Sequence, residues 1–296
     1  MDSKVLAIIF ISTLMHAGWN LIARGQKSEM AYLHRLCAIL MVVGFLPGLV
    51  SELMLPSLPP AVWLNLLMSG TCGGVYLYGL AKSYETADFT IVYPVARALP
   101  VLLVGMADVW RGQMPTMWGW VGMLGVSCGC FLAPLHSFGE FHWRRYFNRS
   151  SFWILLTAMG TVGYSVIDKI SAEIVAVGSA GPATAARYSY VFFTITGLFF
   201  FLIHKLFDRE KLDFGEMGWI RPGLGALFMY TSYGLILWVF QMTSHASYVV
   251  AFRQFSIIIG VVLAFLIYRE RGVAVRLTGA LLITAGLLLI ALWGSG

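Results

Sequence analysis

Two arginines stand where an apolar chain tolerates them least: Arg97 and Arg253 each fall well inside a long hydrophobic segment. A guanidinium at the centre of a membrane helix costs roughly 2.5–3.5 kcal/mol on insertion scales, so its surroundings must compensate. A water-filled cavity that admits a carboxylate or phosphate would do so, because the planar guanidinium presents its donors in a fork that matches such anions. The alternative is structural: a carboxylate elsewhere in the chain, or carbonyls freed by a broken helix, would hold each arginine and fix helix packing. Arg97 lies between Pro94 and Pro100, each of which removes a backbone donor and frees a carbonyl, so a kink is expected beside its charge. Arg253 has no proline nearby. Arg35 and Arg187 come near the starts of their segments, where an arginine can also snorkel to the interface.

Polar and aromatic residues accompany these charges at helical spacing. Thr184, Arg187, Tyr190 and Thr194 form one stripe, and Tyr230, Tyr233 and Gln241 another. With Trp19, Asn20, Tyr76, Tyr93 and Tyr164 they make a candidate cavity lining, although tyrosine and tryptophan also mark membrane interfaces without binding anything. The candidate substrate-binding set is therefore Arg97, Arg253, Arg187, Trp19, Asn20, Tyr76, Tyr93, Tyr164, Tyr190, Tyr230 and Tyr233. His16 and Asp168 are the candidates for proton coupling, since ionisable groups inside a membrane often act as relays. The histidines and cysteines show no metal spacing. There is neither a nucleotide-binding Gly-rich loop nor a convincing nucleophile and base pair, so no metal, cofactor or enzymatic activity is expected.

The elements that position these residues follow from composition. Apolar residues make up 59% of the 296 and charged ones 11%, against about 45–50% and about 25% in soluble domains. Apolar runs recur near 4 to 24, 30 to 51, 60 to 82, 88 to 110 and 116 to 134, then 151 to 173, 182 to 204, 219 to 243, 245 to 268 and 273 to 293. Each has about the length needed to cross hydrocarbon as an α-helix. The first lacks the cleavage pattern of a signal peptide and is expected to remain as a span. Cys37, Cys72, Cys128 and Cys130 all fall in apolar runs and read as buried small residues. The net charge of +6 sits mainly in short loops, as expected of charges that orient a membrane protein, so nucleic acid is not an expected partner.

The polar stretch 135–150 divides the chain into 1–134 and 151–296, and the two parts match weakly but in order. Gly18-Trp19-Asn20 pairs with Gly163-Tyr164-Ser165 at an offset of 145 and Arg35 with Arg187 at 152, while Tyr76 pairs with Tyr233 and Gly122 with Gly279 at 157. Five helices per part is an odd number, so the second part must enter the membrane from the other side. The expected fold is all-α: ten transmembrane helices as two inverted five-helix repeats, with a solute site near the midplane. Gly119, Gly122, Gly125 and Gly129 offer close helix contact, within the chain or in a homodimer. Eleven lysines and arginines lie in or beside the odd-numbered loops and two beside the N-terminus and an even loop, which favours termini outside.

These residues resemble the EamA-type branch of the drug/metabolite transporter superfamily over essentially the whole chain. The likeness rests on the paired halves, on Arg269-Glu270-Arg271 followed by Gly279 and Gly286, and on arginines early in the second and seventh segments. Gln113 departs from it, standing where glutamate is common. His16-Ala17-Gly18-Trp19-Asn20 is similar to the opening of a subgroup associated with phosphonate utilisation. The resemblance implies alternating access without ATP, a cavity between the halves, a place in the bacterial cytoplasmic (inner) membrane, and termini on the cytoplasmic side, against the charge count. The expectation is a secondary transporter of a small anionic or zwitterionic metabolite, such as an amino acid or organophosphonate. The alternatives are a carrier of a cationic or amphiphilic compound held by aromatic faces, or a non-transporting receptor.

Overall fold

The computed structural model describes the chain apart from residues 25, 27, 87–88, 136, 141–148, 179, 209–217, 269–272 and 295–296, and apart from the side chains of 24, 86, 89–95, 140, 149–150 and 263–268. The described residues form eleven α-helices, one short 3₁₀ turn and no strand. The helices are α1 (Ser3–Arg24), α2 (Glu29–Met54), α3 (Pro60–Thr86), α4 (Phe89–Trp110), α5 (Met117–Leu132), α6 (Arg149–Ala176), α7 (Pro182–Phe207), α8 (Ile220–Phe240), α9 (Ala246–Arg253), α10 (Phe255–Tyr268) and α11 (Val273–Trp293). Six of them, α1, α2, α6, α7, α8 and α11, are long and apolar enough to cross a membrane, as in an integral membrane protein. Val42, Val43, Phe45 and Leu46 of α2 stand exposed on the outside of the bundle, which suits a lipid environment. Cys128 is exposed too, so the reading of four buried cysteines holds for Cys37 and Cys130 and fails there.

Capping residues set several starts. Ser28 Oγ accepts from Ala31 N at 3.2 Å ahead of α2, and Thr116 Oγ1 accepts from Gly119 N at 3.0 Å ahead of α5. The start of α9 is capped from another helix: the Asp108 carboxylate of α4 accepts from Ala246 N at 3.2 Å and Ser247 N at 2.8 Å.

The expected ninth span is two helices. The ladder breaks at Gln254, whose N–H bonds to Ala251 O at 2.9 Å in a tight turn. Side chains take the carbonyls the break frees: Gln254 Nε2 donates to Val250 O at 3.1 Å and Ser256 Oγ to Arg253 O at 2.9 Å. The fourth span, where prolines predict a kink, runs as one helix.

Several helix contacts recur under exchange of the two parts. α3 packs on α6 as α8 packs on α1; α3 meets α7 as α8 meets α2; α2 meets α7, and α5 meets α11. At that last contact Gly122 lies against Gly286 and Gly129 against Gly279. Gly279 follows Gly122 by 157 residues and Gly286 follows Gly129 by the same number, so the exchange maps one contact onto the other. A Cβ on Gly122 would lie 2.6 Å from the Gly286 carbonyl oxygen, and one on Gly129 2.6 Å from that of Gly279. Only glycine allows this approach, and it is made within the chain. The N-terminal amine donates to Ala291 O at 3.0 Å, so the start of α1 and the end of α11 lie at one end of the bundle, the terminal end.

Candidate functional site

Inside the bundle lies a cavity of two adjoining lobes, which share His16, Tyr76, Tyr164 and Arg253. The polar lobe, about 530 Å³ including its open part, is lined also by Asn20, Arg97, Thr157, Thr161 and Gln254 and reaches Tyr84 near the end away from the termini. The aromatic lobe, about 420 Å³ by the same measure, is walled by Trp19, Phe192, Phe193, Met229 and Tyr233. The described lining residues of both lobes include no aspartate or glutamate.

The break between α9 and α10 sets the geometry. It leaves Arg253 as the last residue of α9, buried at 8% exposure, with its guanidinium carbon 5.5 Å from the centre of the Tyr233 ring. Its Nε has no hydrogen-bond partner among the described residues. Gln254 stands 157 residues after Arg97, so the strict counterpart of Arg97 under the repeat offset is the residue at the break, beside the second arginine. Trp19 Nε1 donates to His16 Nδ1 at 3.1 Å, and Asn20 Nδ2 donates to His16 O at 2.7 Å. The rings of Tyr76, Tyr164 and Tyr233 meet edge to face, with Tyr164 5.7 Å from Tyr76 and 5.4 Å from Tyr233.

Seven of the eleven candidate binding residues therefore line the cavity: Arg97, Arg253, Trp19, Asn20, Tyr76, Tyr164 and Tyr233. Three do not. Arg187 donates to Pro56 O at 2.9 Å and pairs with Glu52 at 3.2 Å, tying α7 to the end of α2. Tyr190 is seated on Gly44 and Gly48 of α2. The Tyr230 hydroxyl donates to Ala186 O at 2.7 Å and joins α8 to α7. Each makes contacts between helices and lies outside both lobes. Arg35 is also a packing residue, donating to Gly218 O at 3.1 Å with Trp219 beneath it. The Tyr93 side chain and the Arg269-Glu270-Arg271 run lie outside the described residues.

Asp168, buried in α6, is held by three hydroxyls from three helices. Tyr188 of α7 donates to it at 2.7 Å, and Ser69 of α3 and Tyr233 of α8 donate as well. Ser69 and Tyr188 carry no signal in the sequence, which shows only the carboxylate. Nor is the cluster at the terminal end legible there. Arg111 bridges Asp108 and Glu173, both at 2.5 Å, Glu173 pairs with Lys169 at 3.1 Å, and Lys169 donates to the carbonyls of Phe240, at 2.8 Å, and Thr243 at the end of α8. With the Asp108 cap of α9, these contacts join α4, α6, α8 and α9.

No family model matches this chain, and no curated protein does. One solved structure, described only as the crystal structure of a protein, aligns over 99% of this chain and 98% of its own with a TM-score of 0.71 at 18% identity. At that identity the likeness speaks to the fold alone.

Proposed function

We propose that this chain is a secondary transporter that moves a small anionic or zwitterionic metabolite across a membrane by alternating access, without ATP. The observation that carries the reading is the convergence of Arg97 and Arg253, from different parts of the chain, on a lobe whose described lining includes no carboxylate. A cavity of that charge attracts a carboxylate or phosphonate, and the adjoining aromatic lobe suits an apolar group on the same molecule. The reading takes the chain as ten transmembrane helices in two inverted repeats, similar to the EamA-type drug/metabolite transporters, in a bacterial cytoplasmic (inner) membrane. The helix contacts that recur under exchange and the paired glycines of α5 and α11 support that arrangement.

An aromatic cavity by itself would suit a cation. Arg253 lines both lobes and already lies over Tyr233, so a second cation there meets like charge. The test is flux in proteoliposomes of the purified full chain, with charged metabolites of both signs on one side. Uptake of anions or zwitterions that falls in Arg97→Gln and Arg253→Gln is the expected result. Binding without flux in every condition would identify a receptor.

A further inference from the structure

We propose that Asp168 takes up and releases a proton during transport and is linked to the anion site by Tyr233, whose hydroxyl donates to the Asp168 carboxylate while its ring lies against the Arg253 guanidinium. The proposal rests on the transport reading and names the ion that moves with the anion.

Sequence reasoning offers two relays, and the structure separates them. His16 lines the lobes that hold both arginines, and its Nδ1 is occupied by Trp19, so a proton there would add a third positive charge to the cavity. Asp168 has the opposite setting. It is buried, and among the described residues its hydrogen-bond partners are three neutral hydroxyls rather than a cation. Lys169, next in the chain, is turned to the end of α8 and to Glu173. Besides these hydroxyls, the Cys72 thiol of α3 comes near Asp168. Beyond them, α9 brings Arg253 onto Tyr233, while Tyr164 of α6 lies edge-on to the same ring. α4 contributes Arg97 to the polar lobe and turns Arg111 to Asp108 and Glu173.

Position completes the case. On one side of Asp168, Tyr233 forms a wall of the aromatic lobe; on the other, Asp168 and Tyr188 line a small separate pocket, about 200 Å³ including its open part, with Thr184 and Gln241, toward the terminal end. A carboxylate between two cavities can exchange its proton with either side in turn.

The charges fix the direction of coupling. With the cavity empty, positive Arg253 lies across Tyr233 from negative Asp168. An anion that neutralises Arg253 removes that attraction, and the carboxylate then takes a proton from hydronium: an Oδ–H bond forms, an O–H bond of hydronium breaks to leave water, and Tyr188 or Tyr233 can turn to accept. Release reverses both steps. Anion and proton therefore favour each other's binding by the same factor, which is symport.

The test is an infrared pH titration of the carboxyl C=O stretch on the full chain in nanodiscs, with benzoate as the anion probe and thermal shift as an independent report of its binding. A protonated-carboxyl band that is lost in Asp168→Asn is expected. Tyr233→Phe and Arg253→Gln, which keep the carboxyl, should move its midpoint to higher pH, and benzoate should do the same in the unaltered chain. If Asp168→Asn does not fold, the midpoints of the other two variants decide. A band unchanged by substitution of Asp168 and midpoints unmoved in Tyr233→Phe and Arg253→Gln overturn the proposal. Benzoate that binds but lowers the midpoint overturns symport. Absence of benzoate binding counts against the anion reading of the cavity, while the variants still decide the role of Asp168.

Discussion

Two groups of basic residues sit inside this bundle under opposite rules. At the terminal end Arg111 and Lys169 are closed on Asp108, Glu173 and helix-end carbonyls, with Asp108 at 1% and Arg111 at 6% side-chain exposure. In the cavity Arg97 and Arg253 face a space whose described lining holds no carboxylate, and the Arg253 Nε has no partner among the described residues. A buried charge must be compensated in either place. The first group is compensated by the protein and so contributes rigidity. The second borders a space that a ligand can enter, and it is the one suited to binding.

The sharpest way to break this contrast is to exchange the consequences of substitution. Asp108→Ala removes the cap of α9 and leaves Arg111 with Glu173 alone, and breaking a buried pair costs up to about 3–5 kcal/mol. Thermal unfolding in detergent should show a large loss of stability, larger than for any cavity variant. Next in size, Arg253→Gln should weaken anion binding by roughly tenfold to a hundredfold, the range expected for a charge-assisted hydrogen bond worth about 1.5–3 kcal/mol. Its melting temperature should change little, and equal loss of folded protein would remove that arginine from the site.

Gly129→Ala places a Cβ against the Gly279 carbonyl and should destabilise by about 1–3 kcal/mol, read by the same unfolding assay, with binding intact in the folded fraction. Glu173→Gln should do less, by about 1 kcal/mol or below, because Glu173 is 43% exposed and water screens its pairs. Smallest of all on binding is Arg187→Gln: its contacts to Glu52 and Pro56 lie outside both lobes, so ligand affinity measured by calorimetry should stay within about twofold, a change of about 0.4 kcal/mol.

Much of the cavity is legible in the sequence for a physical reason. A charge inside an apolar run is conspicuous, which brings Arg97 and Arg253 forward. The repeat offsets pair Trp19 with Tyr164 and Tyr76 with Tyr233, and all four converge on the lobes. Helical periodicity fails at Tyr190 and Tyr230 because it tells which residues share a face, not which neighbour covers it. Tyr230 and Tyr233 are three apart on α8, yet one bonds α7 and the other walls the cavity. The break at Gln254 is hidden for a different reason. Proline and glycine are the usual marks of a broken helix, whereas here the side chains of Gln254 and Ser256 take the freed carbonyls. The ionic group at the terminal end is likewise tertiary, since Arg111 and Glu173 lie far apart in the chain and meet only once α4 and α6 pack.

The central claim is that the two-arginine cavity binds an anion, and a calorimetric titration of the purified chain with benzoate and with tetramethylammonium tests it most directly. Saturable binding of benzoate that weakens in both Arg97→Gln and Arg253→Gln, with none for the cation, is the predicted result. Saturable binding of tetramethylammonium that survives or strengthens in those variants, with none for benzoate, would contradict it.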